Sequence, residues 1–475
     1  MRRITPGTPW PLFDIAATRR LEERAGAALP PHTLMQRAGL AVARLALAIA
    51  PHARTIWIAC GPGNNGGDGL EAAMHLKAWG KEPVVTWLGD TARAPQDARA
   101  SWQRARDAGV VFADAPPAAW DLAIDALLGI GSTRPPQGAL LEHIRSINVR
   151  GAPVLAVDLP SGLDADTGMA AEVVRATHTL ALLALKPGLF TGHGRDAGGE
   201  VWFDDLQVAN AGEAPVAWLG GAPGESPRLH ASHKGSYGDV AVIGGAAGMV
   251  GAALLAARAA LHHGAGRVFV GLLDPAAPAL DAQQPDLMLR TWDSLDLSRM
   301  AVACGCGGGD AVRATLPRVL HAQALVLDAD ALNAIGADAQ LQAGLQARAG
   351  RGLPTVLTPH PLEAARLLGS DTAGVQSDRL AAARGLAQRF GCVVVLKGSG
   401  TVIASARGEL RINPTGNARL AIAGTGDVLA GMVAARLARG EDAMTAACAA
   451  VYLHGAAADR WPGERPLTAS ALGGG

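Results

Sequence analysis

The feature that most constrains this chain is the junction at residue 60. An apolar run of strand character, Thr55–Cys60 (TIWIAC), passes directly into Gly61-Pro62-Gly63-Asn64-Asn65-Gly66-Gly67-Asp68-Gly69, and a helical stretch, Leu70–Trp79, follows. Strand, glycine-rich turn and helix open a crossover unit, the device that joins parallel strands. The alternation continues with a strand at Pro83–Leu88, a helix at Pro95–Ala108, a strand ending at Leu122–Asp125, a helix at Leu140–Asn148, a strand at Val154–Asp158 and an apolar run at Thr179–Leu183. Two helices come first, Asp14–Ala27 and Leu34–Ala50; the second places Leu34, Ala38, Val42, Leu45 and Ile49 at helical spacing. The second half repeats the theme. Strands are predicted at Gly238–Ile243, Arg267–Gly271, Leu325–Leu327, Thr355–Leu357 and Cys392–Leu396, and helices at Gly251–His262, Leu362–Leu368, Arg379–Phe390 and Gly426–Leu437. The pattern predicts an α/β protein of two domains, each a parallel sheet with helices on both faces. The boundary falls in an Ala-, Gly- and Pro-rich stretch without period, so the expected domains are 1–210 and 228–475, with a linker at 211–227.

Composition excludes several classes. Lys+Arg and Asp+Glu are both 42 in 475 residues, without the basic surplus of a nucleic-acid binder, so no nucleic-acid partner is expected. Five cysteines (Cys60, Cys304, Cys306, Cys392 and Cys448) are too scattered for a disulfide scaffold. Cys304 and Cys306 have no second pair, so their spacing gives no zinc motif, and buried free thiols are expected. Pro6, Pro9, Pro11 and Asp14 interrupt any signal-peptide core, and the uncharged run Val240–Ala257 holds Gly244, Gly245, Gly248 and Gly251. No membrane span and a cytoplasmic location are therefore expected.

The turn after Cys60 contains Gly61-x-Gly63-x-x-Gly66, the dinucleotide fingerprint, and Asp90 follows the next strand at a distance suited to a ribose contact. Glycines admit an anion to the backbone, and a helix start attracts it. Asn64, Asn65 and Asp68 are more polar than a pyrophosphate loop requires; such oxygens suit a monovalent cation or a sugar. A plain turn, with Asn and Asp as left-handed or capping residues, is the alternative. Two further strand ends are acidic, Ile124-Asp125-Ala126-Leu127-Leu128-Gly129-Ile130-Gly131 and Val157-Asp158-Leu159-Pro160-Ser161-Gly162-Leu163-Asp164. Ligands of open parallel sheets bind at the carboxyl ends of strands, so Asn65, Asp125, Asp158 and Ser161 are expected to share one crevice.

GPGNNGGDG, DALLGIG and VDLPSGLDADTG, with LMQRAG at Leu34–Gly39, resemble the epimerase domain of the NAD(P)H-hydrate repair enzymes over roughly residues 10–210. The resemblance implies a Rossmann-like domain in which Asn64, Asn65, Gly66, Gly67 and Asp68 contact the hydrated dinucleotide. Gly129, Ile130, Gly131, Ser132, Thr133, Arg134 and Pro135 would line its phosphates, Asn65, Asp125 and Ser161 would bind K+, and Asp158 would be the acid/base. Leu70 stands where family members often carry an aromatic residue.

In the second half, Ala423-Gly424-Thr425-Gly426-Asp427 opens an apolar helix. Its N–H groups can hold a transferring phosphoryl group, and Asp427 can take a proton from a hydroxyl; an Asp that caps its own helix is the bland alternative. With His233-Lys234-Gly235-Ser236-Tyr237-Gly238, Thr358-Pro359-His360-Pro361, Leu396-Lys397-Gly398-Ser399-Gly400-Thr401 and Asn413-Pro414-Thr415-Gly416-Asn417, this half resembles the repair dehydratase, a ribokinase-like fold, over roughly 228–470. The resemblance implies that Lys397, Gly398, Ser399, Gly400, Thr401 and Gly426 hold the nucleotide. Ala253, Gly307, His360 and Asp427 would contact the hydrate, with Asp427 as base. Where family members often read Gly-Pro-Gly, this chain has Gly305-Cys306-Gly307.

Together the resemblances imply metabolite repair. One domain would interconvert the epimers of NADHX and NADPHX, the hydrated coenzymes, and the other would dehydrate one epimer with ADP, giving AMP and phosphate, with Mg2+. A homo-oligomer is expected. Three other readings stay open: a small-molecule kinase fused to a binding domain, an NAD-dependent oxidoreductase, and a non-enzymatic partner-binding first domain. With Tyr 2 and Phe 6, aliphatic rather than aromatic walls are expected around the nucleotide.

Overall fold

Apolar residues on both sides of a strand bury it on both faces, and Thr55–Cys60 shows this directly. Ile56, Ile58 and Cys60 belong to one core cluster, and Trp57 and Ala59 to a second on the opposite face. The computed structural model describes all residues except 133, 150, 210, 211, 225–229 and 475. It divides into two units, Met1–Leu219 and Gly220–Gly475.

The first unit holds β1 (Arg2–Arg3), β2 (Trp10–Leu12), β3 (Thr55–Cys60), β4 (Glu82–Trp87), β5 (Val111–Phe112), β6 (Leu122–Ala126), β7 (Val154–Val157), β8 (His178–Leu182), β9 (Glu200–Asp204) and β10 (Ala217–Leu219). Its helices are α1 (Ile15–Ala28), α2 (Thr33–Ile49), α3 (Asn64–Ala78), α4 (Gln96–Asp107), α5 (Ala139–Val149) and α6 (Gly194–Ala197). The main sheet runs β1-β9-β8-β7-β6-β3-β4-β5, parallel except for β1. The chain moves outward from β3 to β5 and then returns to the other side of β3, so the strand order reverses between β3 and β6. Such a reversal opens a crevice at the strands' carboxyl ends.

Two expectations are corrected. The glycine turn was expected to last to Gly69, but α3 begins at Asn64. Its glycines serve close packing rather than left-handed turns: a Cβ on Gly66 would sit 2.1 Å from the Gly61 oxygen, and one on Gly69 would meet Ala126 and Cys60. The linker expected at 211–227 holds β10, paired antiparallel with β2.

The second unit holds β11 (Asp239–Gly244), β12 (Arg267–Leu272), β13 (Met288–Leu289), β14 (Ala301–Cys304), β15 (Ala324–Leu327), β16 (Thr355–Leu357), β17 (Val393–Leu396), β18 (Val402–Ala404) and β19 (Leu410–Ile412). Its helices are α7 (Val250–His262), α8 (Leu316–Val319), α9 (Ala329–Gly336), α10 (Ala339–Gly350), α11 (Pro361–Leu368), α12 (Thr372–Ser377), α13 (Arg379–Phe390), α14 (Thr425–Ala438), α15 (Ala443–Asp459) and α16 (Ala469–Gly473). Strands β13-β12-β11-β14-β15-β16-β17 are parallel, and β18 and β19 add an antiparallel edge. Here too the order reverses, between β11 and β14. Helices α7 and α14 cross where Gly431 meets Ala256; a Cβ on Gly431 would lie 2.0 Å from the Ala256 oxygen. No helix among the described residues is long and apolar enough to cross a membrane.

Candidate active sites at two strand-order reversals

In the first unit the crevice is built from the ends of β3, β6 and β7. Asp125, in β6, is fully buried. Its carboxylate accepts from the Ser161 hydroxyl (2.5 Å) and the Ser161 N–H (2.8 Å), and the Ser161 oxygen in turn accepts from Leu128 N–H (2.8 Å). Burial pushes the Asp125 carboxyl up to about 6, and the Ser161 hydrogen bonds oppose that rise. Asn65, also buried, lies beside Gly129, and its amide Nδ2 has no hydrogen-bond partner among the described residues. Amide N and O are exchangeable by a flip, so this group can present an oxygen.

Asp158 follows β7 with φ +67°, a left-handed conformation that Asp tolerates better than most residues. Its carboxylate accepts from Leu182 N–H (3.1 Å) and from the ammonium of Lys186. Lys186 is only 1% exposed and also donates to the Leu182 carbonyl (2.9 Å). Two more carboxyls feel the Asp158 charge. Asp68 is held well above the usual carboxylate range, first by burial and then by Asp158. Glu22, although its side chain reaches solvent, is also raised, first by the desolvation around it and then by Asp158. The cluster thus sets one buried ammonium beside Asp158, whose charge raises the carboxyls of Asp68 and Glu22.

The rest of the predicted set is spread along the rim. Asn64 is exposed at the start of α3, while Gly66 and Gly67 are buried in the helix. Gly129 and Ile130 are half-buried, and Ser132 N–H donates to the Gly129 carbonyl (3.2 Å). Gly131, Arg134 and Pro135 are exposed, and Thr133 lies outside the described residues. Leu70 is core. Asp90 is exposed and caps a turn, accepting from Ala92 N–H (2.9 Å). None of Asn64, Asn65 and Asp68 has a left-handed backbone, and Gly63 is the helix cap, so the plain-turn alternative does not describe this segment.

In the second unit the parallel strand ends converge on α14. Gly424 (φ +92°) turns the chain into this helix, whose first N–H groups lack intrahelical partners as at any helix start. Lys397, after β17, sends its ammonium to Asp328 Oδ1 (2.6 Å), after β15, and Thr358, after β16, donates to the same oxygen (2.7 Å). Gly426 leaves room for this ammonium: a Cβ there would be 3.2 Å from Lys397 Nζ. Asp427 sits in the first turn of α14. Burial raises its carboxyl to about 7, and Asp328 adds to the rise; a hydrogen bond from the Cys306 thiol and the Lys397 charge oppose it. The Cys306 thiol is pushed well above its ordinary value by burial, then by Asp427 and Asp328.

Gly398 and Ser399 are exposed, Thr401 is half-buried and Gly400 is buried. Gly307 (φ +58°) accepts at its carbonyl from Ala246 N–H (2.7 Å), tying the turn after β14 to the turn after β11. Ala253 is wholly buried. His360 caps α11: its Nδ1 accepts from Leu362 and Glu363 N–H (3.1 and 3.3 Å), and its Nε2 lies 3.1 Å from the Glu363 carboxylate.

A family model described as YjeF-related protein N-terminus matches residues 31–188, and one described as NAD(P)H-hydrate dehydratase matches residues 240–472. The bifunctional NAD(P)H-hydrate repair enzyme Nnr of Escherichia coli is 38% identical over 485 residues, covering 96% of this chain and 90% of that protein. The chain belongs to the bifunctional NAD(P)H-hydrate repair enzymes. An ADP-dependent (S)-NAD(P)H-hydrate dehydratase of Neisseria meningitidis is 46% identical and covers 52% of this chain and 85% of that protein. The crystal structure of an ADP/ATP-dependent NAD(P)H-hydrate dehydratase from Bacillus subtilis, with ATP and Mg2+, is similar at 33% identity and a TM-score of 0.45, over 52% of this chain and 90% of that one.

As a repair enzyme the chain carries side chains that motif reading passed over. Lys186 and Glu22 stand outside the glycine and aspartate motifs; a lysine within an otherwise apolar run, Leu180–Leu189, was the available signal for the first. In the repair enzyme's second unit, Asp328 and Cys306 complete the surroundings of Asp427. Arg379, 2% exposed, donates to the Leu396 and Lys397 carbonyls (3.2 and 3.1 Å) and seats the loop that starts at Lys397. His454 binds the Thr425 carbonyl (2.9 Å) beneath the start of α14, and burial pushes its imidazole down to about 4, so it is neutral.

Proposed function

We propose that the two units act in turn on one hydrated coenzyme: the first interconverts the epimers at the hydrated ring carbon, and the second dehydrates one epimer at the expense of ADP. The observation that carries this reading is the Asp427 carboxyl, raised to about 7 at a helix start and flanked by the Lys397–Asp328 pair. A base near neutrality beside an anion-binding helix start suits phosphoryl transfer to a hydroxyl.

In the second unit, Asp427 takes the proton of the ring hydroxyl, and the freed oxygen attacks the terminal phosphorus of ADP. The bond to the AMP oxygen breaks, and the N–H groups of α14 and Lys397 stabilise the charge that develops. The ring nitrogen then expels phosphate, and loss of the neighbouring C–H proton restores the reduced nicotinamide. Hydrate and ADP thus give reduced coenzyme, AMP and phosphate. Mg2+ bound with ADP supplies charge neutralisation at the phosphates.

In the first unit, epimerisation requires the hydroxyl to leave with a proton and water to return on the other face. Asp158 accepts and returns protons, with Lys186 and the raised Asp68 as neighbouring donors. Asn65, Asp125 and Ser161 fit a K+ ion. Among the described residues, Asp125 is a buried carboxylate with no cation at ion-pair distance, and Asn65 Nδ2 has no hydrogen-bond partner. Such an ion would supply positive charge to dinucleotide phosphates at the start of α3. Asn64, Asn65, Asp68, Gly129–Ser132, Arg134 and Pro135 line that dinucleotide, and Lys397–Thr401, Gly426, Ala253, Gly307 and His360 line the nucleotide and hydrate of the second site.

The test is product stoichiometry. Purified protein given mixed NADH hydrates and ADP should form NADH, AMP and phosphate in equal amounts. A phosphorylated product accumulating without NADH would instead indicate a kinase.

A further inference from the structure

The thiol of Cys306, one oxygen of Asp328 and one oxygen of Asp427 lie within 4.8 Å of one another, a grouping that no sequence spacing announces. Each ligand comes from a different element: the turn after β14, the residue after β15 and the first turn of α14. Asp328 Oδ1 is taken by Lys397 and Thr358, but Oδ2 takes part in no hydrogen bond among the described residues and faces the start of α14, 3.8 Å from a Cβ placed on Gly426. Cys306 and Asp328 are buried, whereas Asp427 is half-buried, which leaves one side open.

We infer that Cys306, Asp328 and Asp427 form an inhibitory site for a thiophilic divalent cation such as Zn2+. One sulfur and two carboxylate oxygens make a three-protein-ligand set with an open fourth position, within the ligand range of Zn2+ and Co2+; Mg2+ has no use for the thiolate. Charge favours occupancy. With the thiolate formed, three anions and the Lys397 ammonium leave two negative charges, which one divalent ion cancels. Binding displaces the thiol proton to solvent and engages the Asp427 carboxylate, so that group no longer accepts a proton from substrate. The inhibitory consequence rests on the dehydratase reading above; the binding itself does not.

Cobalt separates the two. Full-length protein titrated with Co2+ should bind one ion with a thiolate-to-cobalt charge-transfer band in the near ultraviolet, which excess Zn2+ bleaches and excess Mg2+ leaves. Cys306→Ala and Cys306→Ser should both lose the band and weaken Zn2+ binding beyond the roughly 10–100-fold that an outer-shell change costs; Cys448→Ala should keep both. Zn2+ should inhibit dehydration reversibly in the native protein, and the ratio of rates with and without Zn2+ should approach one in either Cys306 variant. A band that survives in both Cys306 variants, or no band in the native protein, overturns the proposal. If the band appears as described but the native protein fails to restore NADH even without Zn2+, the metal site stands and the dehydratase reading falls.

Discussion

Asp158 is the residue at which backbone strain and charge meet. A non-glycine residue at φ +67° costs on the order of 1–3 kcal/mol unless its surroundings impose it. Here Leu182 N–H and Lys186 do so. Asn tolerates the same backbone, but Asp158→Asn takes the carboxylate from the buried Lys186 ammonium, so the variant should melt earlier than the native protein and, assayed below its melting temperature, lose epimerisation by about 10²–10⁴-fold, as judged by chiral chromatography of the two hydrates. Lys186→Met should destabilise the fold by about 3–5 kcal/mol in denaturant melts, because it leaves Asp158 charged and unpaired. At the other site the proposed base, Asp427, has to be ionised to accept a proton. With its carboxyl near 7, kcat/KM for dehydration should fall about tenfold per pH unit below that value and level off above it. A profile flat from pH 5 to 8 would exclude Asp427 as the base. The aspartates at strand ends were legible in the sequence because a lone acidic residue after an apolar run is conspicuous. Lys186 and Asp328 were not, because their partners lie 28 and 69 residues away and only the fold brings them together.

Among the secondary-structure elements, strands with β-branched cores were readable and small-residue elements were not. Ala301–Cys304 (AVAC) and the helix Ala443–Asp459 (AMTAACAAVYLHGAAAD) offer little contrast between faces, since both are largely buried; without that contrast neither period is visible. The start of α3 was hidden for a different reason. Its glycines read as a turn, yet they are helical positions that admit the neighbouring backbone. The same logic governs the crossing of α7 and α14. Gly431→Ala would drive a methyl into the Ala256 carbonyl and should cost about 1–3 kcal/mol in the melting of the second unit, although alanine is the better helix former.

Each unit of the molecule has its own core and its own strand-order reversal, so each should respond to its own ligand. K+ should raise the melting temperature of the first unit at pH 7.5. Asp125 titrates near 6, and its burial makes the charged form costly: as pH rises from the ordinary carboxylate range toward 6, the native state loses the advantage of holding a proton there. The K+ effect should therefore vanish at pH 5, where the carboxyl is protonated. ADP with Mg2+ should raise only the second unit's transition. The claim that both sites serve one damaged coenzyme is tested most directly by supplying an equal mixture of the NADH-hydrate epimers with ADP and following absorbance of reduced nicotinamide in the native protein and two variants. The native protein should convert all of the hydrate, Asp158→Asn should convert the reactive half and then slow sharply, and Asp427→Asn should restore no NADH while still interconverting the epimers. Full conversion by Asp158→Asn at the native rate, or NADH formed by Asp427→Asn, would contradict the account.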